Sequence, residues 1–355
     1  MKGEDTQKQV LDTLSPTKIL IPVAFGLAAA VYLLASEVDI PELLQNLQNA
    51  TGIWFVAALL VLLIRDAGYI YRIRELSDQE LSWRSSLYII ILWEFASAVT
   101  PSVVGGTAVA VFILNREGIK LGRSLALVML TAFLDNMFFI IFSLLMLLIT
   151  GGKAFPVLAL DQSWGFIKDY GLQGTFALSY ILITVYTSFF AYGLFFHPRG
   201  FKWLLVKATS LRWTRRWRRS ALQTGNDMMI ASQSLKGKRR SYWWKAILST
   251  VFIWSARYLI LNCLAMAFVD LTWADNILVF ARQVIMWVVM LVSPTPGSSG
   301  IAESVFPLFY SDFFTRSFSS VVGIFWRLFY YYPYLFLGAI FLPRWLRRVY
   351  RRKID

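Results

Sequence analysis

Long apolar runs are the feature that most restricts how this chain can fold. They occupy residues 19–34, 54–64, 125–149, 176–196 and 246–269. About 20 apolar residues in a helix cross the roughly 30 Å of hydrocarbon in a bilayer, and several runs approach or exceed that length. Because 57% of the residues are hydrophobic and only 16% are charged, a soluble core of this size could not bury the apolar surface. The sequence therefore predicts an all-α polytopic membrane protein.

The charge balance indicates which partners such a protein meets. Lysine and arginine outnumber the acids by 35 to 21. On so hydrophobic a chain, this excess favours contact with anionic lipid headgroups over nucleic acid, and no RNP, zinc-finger or helix-turn-helix pattern is present. The one cysteine, Cys263, lies in an apolar run, so neither a disulfide framework nor a thiolate metal cluster is predicted. No cofactor is expected.

The placement of lysine and arginine predicts the orientation, since short basic loops stay in the cytoplasm. Residues 19–64 contain neither residue type, whereas residues 199–245 carry thirteen of them against the single acid Asp227. The first loop is therefore expected outside and the 199–245 region inside. The polar N-terminal stretch and the basic C-terminal stretch place both termini in the cytoplasm, and the predicted location is the plasma (inner) membrane.

Two apolar segments are interrupted by proline and glycine. Thr100-Pro101 and Gly105-Gly106 break the segment 87–114, and Ser293 to Gly300 break the segment 277–309. Basic residues flank the first segment on both sides, so the charge rule predicts a hairpin that enters the membrane and turns back. The same count predicts a second hairpin that enters from outside. The alternative is a spanning helix with a proline kink at each place.

The predicted path has about six spanning helices and two re-entrant hairpins. It divides into halves of opposite orientation, 1–173 and 174–355, and the second half includes the basic amphipathic region 199–245. Pro101 precedes Asp135 by 34 residues and Pro294 precedes Arg327 by 33. These features predict an inverted-topology repeat, in which carriers place the substrate near the middle of the membrane on broken helices.

Several charges lie within the apolar segments, where each costs about 2.5 to 3.5 kcal/mol on insertion scales. They are Glu94, Asp135, Arg257, Arg282, Glu303 and Arg327. Arginines on facing helices could hold a phosphate through bidentate hydrogen bonds, while the carboxylates balance them or carry a coupling proton. The alternative is that the charges pair and only fix the packing. Arg65 and Asp66 are assigned to a helix end that snorkels to the interface, and Arg72 to a cytoplasmic loop.

The residues at the two interruptions are further candidates for substrate binding. Proline removes a backbone donor and glycine permits close approach, so freed backbone groups could face a lipid headgroup. These candidates are Pro101, Gly105, Gly106, Pro294, Pro296, Gly297 and Gly300.

The segment 201–219 interleaves tryptophan with basic residues. This pattern predicts a helix that lies on an anionic membrane surface, and the alternative is a solvated run of charge. The predicted membrane-surface residues are Trp203, Trp213, Arg215, Arg216, Trp217, Arg218 and Arg219.

Two stretches resemble the signatures of a known family. The stretch 101–106 (PSVVGG), with 112–118 (FILNREG) and Leu134-Asp135, resembles the first signature of the lysylphosphatidylglycerol synthase transmembrane-region family, a group of flippase-like integral membrane proteins. The stretch 294–303 (PTPGSSGIAE), followed by Arg327, resembles the second. The resemblance covers nearly the whole chain. It departs from the family pattern at Thr107, where the family often has glutamate, and at Ser298, where it has glycine.

The resemblance implies translocation of a lipid such as an aminoacylated phosphatidylglycerol or an isoprenoid-linked saccharide. No soluble aminoacyl transferase domain is expected, because only residues 343–355 follow the last apolar run. A flippase or carrier for an anionic phospholipid or isoprenoid-linked lipid, without enzymatic activity, is the favoured function. The alternatives are an enzyme that acts on a lipid headgroup within the membrane and a non-transporting assembly partner.

Overall fold

The computed structural model describes residues 40–99, 102–156, 165–211, 213–291 and 301–351. These residues form helices and connecting turns, and no strand occurs among them. The helices of the first part are α1 (Ile40–Asn49), α2 (Gly52–Leu76), α3 (Trp83–Val99), α4 (Ser102–Arg116), α5 (Leu121–Thr150) and α6 (Gly165–Ala191). Those of the second part are α7 (Pro198–Ala208), α8 (Arg218–Leu235), α9 (Arg240–Met266), α10 (Trp273–Met290), α11 (Ile301–Tyr310), α12 (Arg316–Tyr330) and α13 (Tyr332–Arg351). The predicted all-α class is confirmed.

Five helical stretches in the described part of the chain are long and apolar enough to cross a membrane. They are Gly52–Leu76, Leu121–Ala154, Gly171–Phe196, Arg240–Met266 and Trp273–Met290. The first predicted span, residues 19–34, lies outside the described residues. The last predicted span divides into α12 and α13, because the backbone leaves the helical conformation at Tyr331 (φ −120°, ψ −55°). Helix α12 has only 15 residues, and the second half of the 20-residue α13 is rich in arginine, so neither piece is a full apolar span and this part of the chain is a broken helix.

Helices α2 and α9 pack antiparallel along their full length. At one end the Thr51 amide donates to the Ala267 carbonyl over 2.8 Å, and at the other the Tyr242 hydroxyl donates to the Leu76 carbonyl over 3.2 Å. Between them, Gly68 lies so close to α9 that a Cβ there would be 3.0 Å from Ile253. The absence of a side chain at Gly68 therefore permits the close contact between α2 and α9.

The two ends of the bundle are distinguished by the ion pairs that lie at one of them. At one end, Arg123 pairs with Asp78 and Glu80, and Lys238 also pairs with Asp78. We call this the basic end. The opposite end contains Lys153, which follows α5, and the Thr51 and Ala267 turns. Arg123 follows α4 in the chain, and its partners Asp78 and Glu80 precede α3. The start of α3 and the end of α4 therefore both lie at the basic end.

The helices α3 and α4 form a hairpin, and α10 and α11 form a second one. In the first, a Cβ on Gly106 would lie 2.5 Å from the Ser97 hydroxyl. In the second, Arg282 Nη1 donates to the Phe309 carbonyl over 2.8 Å, and the Tyr310 hydroxyl donates to the Val279 carbonyl over 3.3 Å. These three contacts join the two arms of each hairpin side by side, as in an antiparallel pair. The residues that join the arms, 100–101 and 292–300, lie outside the described residues, and the re-entry of the hairpins into the membrane and the inverted repeat stay predictions.

Some of the candidates at the two interruptions lie within the described helices. Gly105 and Gly106 lie in the first turns of α4, and Glu303 lies in α11. Pro101, Pro294, Pro296, Gly297 and Gly300 lie outside the described residues.

The bundle has two hydrophobic cores that meet across its middle. The basic-end core includes Tyr69 and Ile73 of α2 together with α3, α4 and α13. The opposite-end core includes Ala58 and Leu62 of α2 together with α10, α11 and α12. The border between them crosses α2 between Leu62 and Tyr69. It crosses α5 between Leu134 and Phe138, and it separates α12 from α13 between Tyr330 and Tyr331.

Candidate functional site

Charged and aromatic side chains collect where the two cores meet. We call this group the polar belt, and its members come from α2, α3, α5, α9, α12 and α13. They are Arg65, Asp66, Tyr69, Arg72, Glu94, Asp135, Arg257, Tyr330 and Tyr334. Three arginines and three carboxylates thus lie between two apolar layers, where charges persist only if they are paired or hydrogen-bonded.

Arg257 lies at the centre of the polar belt and is buried. Its Nη1 donates to the Tyr69 hydroxyl over 3.0 Å and lies 3.5 Å from Glu94 Oε1. Its guanidinium also lies 4.1 Å from the centre of the Tyr330 ring and 5.0 Å from that of Trp254. Cation–π contacts of this kind stabilise a desolvated cation. The aromatic rings therefore stabilise the charged form of Arg257 together with the carboxylate of Glu94.

Arg72 forms the second ion pair of the belt. Its Nη1 lies 2.6 Å from Asp135 Oδ1 and 3.2 Å from the Thr250 hydroxyl. The Trp254 indole also donates to Asp135 over 2.9 Å. The assignment of Arg72 to a cytoplasmic loop is wrong, because α2 continues through polar residues as far as Leu76.

Arg65 and Asp66 form the third pair. Arg65 Nη2 lies 2.7 Å from Asp66 Oδ1, and the Tyr334 hydroxyl donates to the same carboxylate over 2.6 Å while also contacting Arg65. The snorkelling interpretation is wrong, because Arg65 is fully buried in the middle of α2. Residues 65, 69 and 72 follow the helical spacing of one face, a signal that could have revealed this polar stripe.

Two predicted site arginines lie apart from the belt's ion pairs. Arg282 belongs to a cluster near the opposite end, where Nη2 lies 2.5 Å from Asp312 and 3.3 Å from the Lys153 carbonyl. Arg327 lies in the last turn of α12, with its guanidinium 4.6 Å from the centre of the Tyr331 ring. The Tyr331 hydroxyl donates to the Ala98 carbonyl over 3.1 Å. Arg327 therefore lies at the break between α12 and α13, beside the end of α3.

Some buried polar atoms of this region have no hydrogen-bond partner in the described part of the chain. They include Arg65 Nη1, Arg257 Nε and the hydroxyl of Tyr258, the residue that follows Arg257. Buried donors normally have a hydrogen-bond partner. These atoms are therefore available to donate hydrogen bonds to a polar ligand. As for metals, the described residues contain no group of three His, Cys, Asp or Glu side chains that could bind one.

The predicted membrane-surface segment is not one helix. Helix α7 ends at Ala208, and a 3-10 turn at Arg215–Trp217 leads into α8. Trp203, Trp213 and Trp217 are all exposed, and so are Arg215, Arg216, Arg218 and Arg219. Helix α8 packs on α7, and burial raises the pKa of its Asp227 carboxyl. A single amphipathic helix is thus wrong, whereas contact with a membrane surface stays a prediction.

A bundle of long apolar helices with paired charges across its middle defines a polytopic membrane protein. The family model described as "Lysylphosphatidylglycerol synthase TM region" matches residues 19–338. The chain belongs to this family, which confirms the resemblance of its two signatures. It is also similar to a "UPF0104 membrane protein" of Archaeoglobus fulgidus, with 29% identity over 278 residues, 73% of this chain and 76% of the relative. No solved structure matches the chain.

Proposed function

We propose that the protein binds the anionic headgroup of a phospholipid at the polar belt and carries it between the two leaflets of a plasma membrane. An isoprenoid-linked lipid is the second substrate class, because it presents the same phosphate chemistry. The observation that carries the proposal is Arg257, a buried cation whose carboxylate partner is 3.5 Å away.

The chemistry of Arg257 suits a phosphate ligand. A guanidinium presents donors in a planar fork that matches two phosphate oxygens. Its Nε has no partner among the described residues, and the surrounding rings of Trp254 and Tyr330 limit contact with water. Charge interactions in such a site are stronger than in water. Membership of a family connected to phospholipids supports the choice of ligand.

The arrangement of the helices suits a carrier. The hairpins α3–α4 and α10–α11 belong to different cores, and the α12–α13 break lies at the border between them. In carriers with inverted repeats, broken helices surround a substrate site that opens to either side in turn. We place the basic end in the cytoplasm, following the charge rule.

The test is movement of fluorescent phosphatidylglycerol across liposomes, read as the fraction of probe protected from a membrane-impermeant quencher. We expect Arg257→Gln to slow this movement at least tenfold, equivalent to about 1.4 kcal/mol. Arg84→Gln is the matched control, because Arg84 is an exposed arginine of α3. Equal rates for the two variants would contradict a role for the belt. If the unsubstituted protein moves neither this probe nor an isoprenoid-linked phosphate, the carrier proposal is wrong.

A second candidate function is a non-transporting membrane partner whose charges only fix the fold. It is favoured by one observation: each belt carboxylate lies beside an arginine, with Asp66 at Arg65, Asp135 at Arg72 and Glu94 at Arg257. Replacing a buried pair by apolar residues is often neutral or stabilising. This candidate therefore predicts that the double variant Arg257→Met, Glu94→Leu complements a deletion strain and restores its wild-type phenotype. A carrier with the same two substitutions would lose lipid movement.

A further inference from the structure

We infer that Glu94 takes up a proton when an anionic headgroup binds Arg257, so that one proton accompanies each lipid anion. This inference rests on the proposed function and adds the ion that is coupled to it.

The Glu94–Arg257 contact is the longest of the three ion pairs in the polar belt. Its 3.5 Å separation compares with 2.6 Å for Arg72–Asp135 and 2.7 Å for Arg65–Asp66. The Arg257 nitrogen that faces Glu94 donates its hydrogen bond to the Tyr69 hydroxyl instead. An incoming phosphate can therefore replace Glu94 at Arg257 without breaking a short hydrogen bond between them.

The other two carboxylates keep their partners when Arg257 is occupied. Asp66 is held by Arg65 and by the Tyr334 hydroxyl. Asp135 is held by Arg72 and by the indole of Trp254. Glu94 is thus the carboxylate that loses its ion-pair partner when a ligand binds Arg257.

Several other charged and titratable groups surround Glu94. Helix α2 contributes Asp66, Tyr69 and Arg72, α9 contributes Arg257, and α12 contributes Tyr330. The Asp66 carboxylate disfavours a second negative charge, and Arg72 is already engaged by Asp135. Helix α13 adds Tyr334, which donates to Asp66. Among these groups, Arg257 is the cation that forms an ion pair with Glu94.

A phosphate anion beside an ionised Glu94 would place two like charges in a region of low dielectric, which disfavours ionisation of the carboxyl group. Transfer of a proton from hydronium breaks one O–H bond there, leaves a water molecule, forms one O–H bond at a Glu94 oxygen and removes the repulsion. The sum of charges in the belt is then the same with and without the ligand. The Glu94 side chain is 18% exposed and that of Arg257 is 9%, so the carboxyl is the more accessible of the two.

The first measurement is the affinity of purified protein in detergent for short-chain phosphatidylglycerol as a function of pH. Wherever the empty site releases a proton that the complex holds, uptake of that one proton makes binding about tenfold weaker for each unit that the pH rises. Glu94→Gln is expected to bind with an affinity that does not change with pH. Glu80→Gln, an exposed glutamate of the basic end, is the matched control and should keep the slope.

The second measurement counts protons directly, by calorimetric titration in two buffers of different ionisation enthalpy. We expect about one proton per lipid for the unsubstituted protein and none for Glu94→Gln. The number of protons taken up by the unsubstituted protein tests the coupling even if the Glu94→Gln variant does not fold. Binding and movement of lipid without proton uptake, or a slope retained in Glu94→Gln, would overturn the inference and leave the carrier proposal standing. If the protein neither binds nor moves the lipid, both are wrong.

Discussion

The two hairpins of the bundle are held in place by different means. The first, α3–α4, is fixed at the basic end by several contacts: Arg123 reaches Asp78 and Glu80, and Glu117 pairs with Arg348 of α13. The second, α10–α11, centres on the buried Arg282 of α10, which reaches α11, the residue Asp312 beyond it and the turn after α5. Distributed contacts tolerate the loss of one member, whereas a concentrated contact does not.

The two hairpins also differ in how closely they approach the last helices. In the basic-end core, Gly338 of α13 faces Phe95 of α3, and a Cβ there would lie 2.1 Å from the ring. In the opposite-end core, Gly323 of α12 faces Phe306 of α11, and the corresponding distance is 3.0 Å. A glycine thus admits a phenylalanine ring in each half, but the contact at the basic end is tighter.

The largest expected effect is at the concentrated contact. Arg282→Leu removes the donors to the carbonyls of Phe309 and Lys153 within a buried region, and we expect it to lower the free energy of unfolding by about 3 kcal/mol. The measurement is denaturation of purified protein in detergent. Arg84→Leu at an exposed site is the control, with an expected change within about 0.5 kcal/mol. Equal losses in both variants would show that Arg282 does not hold the second hairpin.

The glycine contacts give the next prediction. Gly338→Ala is expected to cost about 2 kcal/mol, because an added methyl group would overlap the Phe95 ring in a packed core. Gly323→Ala should cost less than about 1 kcal/mol, since a shift of a few tenths of an ångström at Phe306 relieves the contact. Gly152→Ala, with no atom within 4 Å of the added carbon, controls for the loss of glycine. A larger cost at Gly323 would reverse the comparison.

The smallest expected effect is at the distributed contact. Arg123→Ala should cost about 1 kcal/mol or less, because its partners Asp78 and Glu80 are about half exposed and Lys238 still pairs with Asp78. The loss should shrink further in high salt, which screens exposed pairs. Thermal midpoints at low and high salt test this. A loss as large as that of Arg282→Leu would mean that the first hairpin also has a concentrated contact.

Sequence reasoning predicted the architecture better than the site. The helical class and the placement of Glu94, Asp135 and Arg257 within apolar segments follow from local composition. It ended α2 too early, however, and so excluded Arg65, Asp66 and Arg72 from the site. It also grouped Arg282 with the central charges, whereas the chain packs this arginine against Asp312 near one end.

The sequence by itself determined that the chain is a helical membrane protein, that proline and glycine interrupt two of its apolar segments, and that charges such as Glu94, Asp135 and Arg257 lie within apolar segments. These properties depend on runs of neighbouring residues and on the backbone limits of proline and glycine. Only the tertiary structure decided which carboxylate meets which arginine and how far apart they lie. The partners in the Arg72–Asp135 and Glu94–Arg257 pairs come from helices distant in sequence, so their contact depends on how whole helices pack, which no local pattern records.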